Sequence, residues 1–208
     1  MLLDALSSQL VLVDYQTRLM PAIADAPPVL ANAVRLARLA ALLQVPAWYT
    51  EQNPGKLGPT VPELQAAAHA AGARSLPKMS FGACPDGLLE ALRPPQPQRK
   101  DPAGNARSLP KHLQKAVPVE AEPRGSIVIA GCEAHVCLLQ TALQLLEEEF
   151  EVWVVADACG SRTERNRDAA FDRLAGNGAE LVTTEMVAFE WLGSAEHPLF
   201  RDVHALIK

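Results

Sequence analysis

Asp14, Lys78 and Cys137 supply an acid, a cation and a thiol, the set that nucleophilic attack by sulfur needs when a proton carrier stands beside it. Cys137 closes the segment GCEAHVC, which runs from the end of an apolar strand into the start of a helix. A thiol in the first turn of a helix meets the positive end of the dipole and unpaired backbone N–H groups, which favours thiolate. An ammonium such as that of Lys78 adds to that effect. The plainer reading of Cys137 is a small buried apolar residue, the common fate of a free cysteine. Cys84, Cys132 and Cys159 read as packing or bystander residues, since a chain this long and apolar needs no disulfide staples. His135 precedes Cys137 by two positions, an offset of about 200° on a helix, so its imidazole does not face the sulfur. His69, His112, His197 and His204 show no metal-ligand spacing, and the chain has neither a Walker loop nor GxGxxG. The run Glu147 to Glu149 reads as a solvated helix face.

Residues this far apart in sequence meet only if the ends of several strands bring them together. Gln9–Asp14, Val45–Thr50, Arg74–Pro77, Ser126–Ala130, Val152–Ala156 and Ala179–Val182 read as strands, most of them continuous apolar runs without helical spacing. Between and after them, Val29–Leu43, Thr60–Ala71, Asp86–Leu92, His135–Phe150, Arg162–Gly176, Thr184–Trp191 and His197–Ile207 read as helices, several marked by proline in the first turn or glycine at the end. Such alternation predicts an α/β fold of three layers, Rossmann-like, with a six-stranded parallel sheet covered by helices on both faces. Ligands of such folds bind at the carboxyl ends of the strands. The residues expected there are Asp14, Glu51, Asn53, Lys78, the segment from Gly131 to Cys137, Asp157 and Arg162.

Composition bounds the rest. The 208 residues are 49% hydrophobic and 21% charged, which is enough apolar material for a sizeable core and excludes disordered and fibrous classes. A net charge of −5, with no basic run longer than Arg99-Lys100, gives no electrostatic footprint for nucleic acid. No apolar run is read as a membrane span, and the opening MLLDALSSQ carries an acid where a secretion signal carries positive charge, so a cytoplasmic location is expected. Seven of the 17 prolines fall between Pro94 and Pro123, which reads as a long surface loop within a single domain, 1–208, rather than a linker between two.

Taken together, LVLVDYQ, PKMSF, GCEAHVCLLQTALQLL and VVADACGSR give a sequence that resembles the isochorismatase-like cysteine hydrolase superfamily over nearly its whole length, the proline-rich loop being the main departure. TEQNPGKLGPTVPEL and HPLFRDVHALIK are most similar to the group of isochorismatase domain-containing proteins. The resemblance implies a catalytic aspartate at Asp14, a lysine at Lys78 and a nucleophile at Cys137. It also implies a cis peptide between Cys132 and Glu133, which aims the backbone N–H groups of Glu133 and Cys137 at an oxyanion. The chemistry implied is hydrolysis of a small amide or carbamoyl compound through a thioester.

Departures from the family narrow this. Nicotinamidases hold a metal with an Asp-x-His pair after the second strand, whereas this chain has Glu51-Gln52-Asn53 and no histidine until His69. The expectation is therefore no metal and no cofactor, with a metal-dependent nicotinamidase-like amidase as an alternative. Cys137 argues against the vinyl-ether cleavage of isochorismatases proper, which does not use the cysteine. Tyr15, Leu19, Trp48, Glu51, Leu57 and Phe81 are the expected walls of a small, partly apolar substrate pocket. A homo-oligomer, dimer or tetramer, is expected, with Trp191 and Leu192 covering a neighbour. The alternative from another class is a non-catalytic binding module that uses the crevice or the proline-rich loop to hold a partner.

Overall fold

In the sheet, the continuous apolar runs become strands buried on both faces. The computed structural model describes residues 2–93 and 124–208, so the proline-rich loop 94–123 lies outside the described residues. The chain forms β1 (Ser8–Val13), α1 (Ala26–Leu43), β2 (Ala47–Gln52), one-turn α2 (Pro54–Leu57), α3 (Pro62–Ala70), β3 (Arg74–Lys78) and α4 (Leu88–Leu92). It continues with β4 (Ser126–Gly131), a π turn (Ala134–Leu138), α5 (Leu139–Glu147), β5 (Glu151–Val155), α6 (Glu164–Gly176), β6 (Glu180–Val182), α7 (Thr184–Leu192) and α8 (Phe200–Ile207). All strand pairs are parallel, in the order β3-β2-β1-β4-β5-β6.

This is the expected three-layer α/β fold. Helices α1, α3, α7 and α8 pack together in one layer, while α5, α6 and the π turn pack in the other. Every residue of β1 and β4 is buried, as central strands with helices on both faces require. Strand order reverses between β1 and β4, the switch point at which such sheets leave a crevice. There Val13 pairs with Gly131. A Cβ on Gly131 would lie 2.5 Å from the Val13 Cβ and 2.6 Å from its carbonyl oxygen, so only glycine lets these strands close up beside the crevice.

Several boundaries differ from the sequence reading, each for a local reason. Strand β2 runs two residues later than Val45–Thr50, because Val45 and Pro46 belong to the turn after α1 and Glu51 and Gln52 pair with Pro77 and Lys78. Lys78 is thus the last residue of β3 rather than the first beyond it. Helix α1 has 18 residues of mean hydropathy 1.2, which does reach the length and composition of a membrane span. Its apolar character serves the core, where Val29, Ala33, Leu36, Ala37, Leu39 and Ala40 are buried. Trp191 and Leu192 do not wait for a neighbour: both are buried within the chain, and the Trp191 indole donates to Ser8 Oγ at 3.0 Å.

Candidate active site

Asp14, just past β1, adopts a left-handed backbone with φ 56°. That conformation costs most residues about 1–2 kcal/mol and is better tolerated by aspartate. Its carboxylate is fully buried and divided between two partners. Oδ1 accepts the Thr50 hydroxyl at 2.7 Å, and Oδ2 lies 2.7 Å from Lys78 Nζ with no further hydrogen-bond partner among the described residues. Lys78 comes from the edge strand β3 and is buried as well. Its ammonium also donates to Gln52 Oε1 at 2.8 Å and to the Phe81 carbonyl at 2.9 Å, with the Ser80 carbonyl at 3.3 Å. Strand β2, between β1 and β3, carries both supporting side chains, because alternate residues of a strand face the same way.

Cys137 lies in the π turn after β4, a helical irregularity frequent at functional sites. Its thiol lies close enough to Asp14 and Lys78 for both charges to act on its ionisation. Burial, followed by the Asp14 charge, pushes this thiol up to about 12, and Lys78 pulls against them without prevailing. The expected resting thiolate is therefore corrected to a thiol. The dipole argument omitted desolvation, and it counted the Lys78 charge as free when that charge is paired with Asp14. Cys132 and Cys159 are also raised, chiefly by burial.

Between β4 and Cys137 the Cys132–Glu133 peptide is cis. The Ala134 N–H donates to the Gly160 carbonyl at 2.7 Å, and the N–H groups of Val136 and Leu138 donate to the Glu133 carbonyl at 3.0 and 3.3 Å. Neither the Glu133 nor the Cys137 amide takes part in these bonds. The Glu133 carboxylate is held by Arg162 through its backbone N–H (2.9 Å), Nε (2.9 Å) and Nη2 (2.6 Å), a fork that keeps the carboxyl below its ordinary range. His135 turns to Ser161 and Asn166, at 3.0 and 3.3 Å.

The proposed pocket walls divide. Tyr15 is buried, with its hydroxyl donating to the Ala158 carbonyl at 2.5 Å, and Trp48 is buried too, so neither forms the wall of an open pocket. The Glu51 carboxylate is taken by the backbone N–H and hydroxyl of Thr60, at 2.7 and 2.8 Å, and fastens the loop after α2 to β2. Leu19 and Leu57 are partly exposed, and Phe81 is 55% exposed beside Lys78. Asp157 caps Thr184 at the start of α7, and Asn53 turns the chain into α2. Among the described residues no three His, Cys, Asp or Glu side chains are grouped as metal ligands. The sequence reading missed Thr50 and Gln52, which the period-two alternation through β2 could have found once its end was set at Gln52.

Residues 8–186 match the family described as the isochorismatase domain. Isochorismatase domain-containing protein 2 of Pongo abelii is 38% identical over 202 residues, covering 97% of this chain and 83% of that protein. Among solved structures, one described as MAR1 ribonuclease from Caenorhabditis elegans is 29% identical with a TM-score of 0.82, covering 100% of this chain and 92% of the other. The YcaC gene product of Escherichia coli, described as an octameric hydrolase of unknown specificity, is 25% identical with a TM-score of 0.76, covering 99% and 94%.

Proposed function

The chain belongs to the isochorismatase family, a membership that supports a hydrolase role, and we propose that it cleaves the C–N bond of a small amide or carbamoyl compound through a thioester on Cys137. One observation carries this reading: a carboxylate, an ammonium and a thiol from three different strand ends converge in one buried site at the switch point of the sheet.

The steps follow from the protonation pattern. The Cys137 proton passes to Asp14 Oδ2 as sulfur bonds to the carbonyl carbon, and the oxygen that becomes negative is received by the Glu133 and Cys137 amides. The C–N bond then breaks, the amine leaving with the proton held on Asp14. Water attacks the resulting thioester while Asp14 takes its proton. The C–S bond breaks, that proton returns to sulfur, and the acid is released.

Two features of the neighbours bear on this reading. The ribonuclease description of the Caenorhabditis elegans structure is said of that protein, and a net charge of −5 does not favour carrying it over to this chain. The octameric YcaC supports assembly of this chain into a homo-oligomer.

A turnover screen of small amides, carbamates and ureas, with intact-mass detection of an acyl adduct on Cys137, tests the proposal. The expected result is an acylated wild-type chain, with loss of both turnover and adduct in Cys137→Ala. Turnover retained by Cys137→Ala would overturn it.

A further inference from the structure

Lys78 presents a problem of positioning. An ammonium on a flexible four-carbon stem has three N–H groups, and around Lys78 stand Asp14 Oδ2 at 2.7 Å, Gln52 Oε1 at 2.8 Å, the Phe81 carbonyl at 2.9 Å and, more loosely, the Ser80 carbonyl at 3.3 Å. Every donor is committed to oxygen, so Lys78 acts on the Cys137 sulfur chiefly as a fixed charge. Of these acceptors Gln52 is the only neutral side chain.

Gln52 is itself held at both ends. Its Nε2 donates to the Met79 carbonyl at 2.8 Å, which leaves Oε1 as the atom turned to Lys78; a flipped amide would set NH2 against the ammonium. Its backbone N–H donates to Gln16 Oε1 at 2.9 Å, and its carbonyl accepts Gln16 Nε2 at 3.0 Å. Beyond Thr50, where β1 stops pairing, the Gln16 side chain takes the Gln52 backbone in place of a strand, so the Gln52 side chain is not needed to cap β2 and is left to Met79 and Lys78.

We propose that Gln52 is a positioning residue for the reaction: by holding the Lys78 ammonium in one place, it keeps that positive charge beside the Cys137 sulfur. The inference rests on the reading of Cys137 as the nucleophile. Without Gln52, the one side chain left to anchor the ammonium is Asp14, and the lysine stem is free to carry its charge away from the sulfur.

The test follows the Lys78 ammonium by 15N-detected NMR and the alkylation of Cys137 by iodoacetamide at one fixed pH, in wild type, Gln52→Met, Gln52→Glu and Lys78→Met. Wild type should give a slowly exchanging ammonium signal that Lys78→Met lacks. Gln52→Met, of similar shape but without the acceptor, should lose that signal and alkylate about five- to tenfold more slowly, the effect of up to one pKa unit. Gln52→Glu, which keeps an acceptor oxygen, should retain the signal. A Lys78 ammonium in wild type that exchanges as fast as the surface lysines would overturn the proposal without recourse to any variant. So would a Gln52→Met protein that keeps both signal and rate while Lys78→Met slows. If Lys78→Met alkylates at the wild-type rate, the reading of the Cys137 site itself fails, whatever happens to the ammonium signal.

Discussion

Cys137 is a nucleophile candidate whose surroundings hold it protonated, and that fixes how it can be used. With the thiol pushed up to about 12 by burial and by Asp14, the thiolate fraction rises about tenfold per pH unit through the neutral and mildly alkaline range. Iodoacetamide labelling of Cys137 should therefore climb steadily from pH 7 to pH 10 without levelling off; a plateau near neutrality would mean a resting thiolate. Asp14→Asn separates the two duties of the carboxylate. Removing its charge removes a cause of the raised thiol, so alkylation should speed up several-fold, while turnover falls by about 10²- to 10⁴-fold for want of a proton carrier. Parallel loss of labelling and turnover would instead assign Asp14 a structural role. The placement of an acid, a cation and a thiol near strand ends was legible in the sequence. Their ionisation was not, because it depends on burial and on charge pairing between residues that are 59 and more positions apart in sequence.

Strands β1, β2, β3 and β4 and the π turn position the site, and their tolerances differ. Gly131→Ala puts a methyl against the backbone of β1 at 2.6 Å, which cannot move aside as a flexible side chain could. Overpacking of this kind costs about 1–3 kcal/mol, so chemical denaturation should show that loss, with a larger fall in turnover because Asp14 and the π turn are displaced together. Arg162→Ala leaves the Glu133 carboxylate without its fork. Turnover should drop about tenfold or more through misplacement of the Glu133 amide, while Cys137 alkylation, which needs no oxyanion donor, stays near wild type. Equal losses in both assays would tie Arg162 to the thiol instead. The fully buried strands were legible because helices on both faces demand continuous apolar runs. Strand β2 was displaced because Val45 and Pro46 extend its apolar pattern backwards into a turn. That error put Glu51 at the site, where the structure has Gln52. The π turn left no mark in the sequence, since its residues read as the first turn of an ordinary helix.

For the whole molecule, Leu181 in β6 and Met186 and Phe189 in α7 are each more than a third exposed, an apolar surface that the proposed assembly would cover; sedimentation velocity should find a mass several times 22.4 kDa. A monomer at micromolar concentration would refute that. Stability against alkali follows from the thiols. Cys84 is raised to about 11, Cys137 and Cys159 to about 12, and Cys132 is raised as well, in each case chiefly by burial. In the unfolded chain these thiols ionise near 8.5, whereas the folded chain keeps them protonated. A folded-state pKa above the unfolded value means that the folded state binds more protons across the interval between them. The stability they contribute is complete below about pH 8 and is lost as pH rises towards 12. Each deeply buried thiol costs up to about 1.4 kcal/mol per pH unit within that window, and the half-buried Cys84 costs less. Under reducing conditions the urea midpoint should hold level from pH 7 to pH 8 and fall ever more steeply from pH 9 to pH 11. Cys159→Ala, which removes one buried thiol remote from Lys78, should shallow that fall. A midpoint that stays level to pH 11 would mean that the thiols reach solvent in the native state, and the closed, protonated Cys137 site would fall with it.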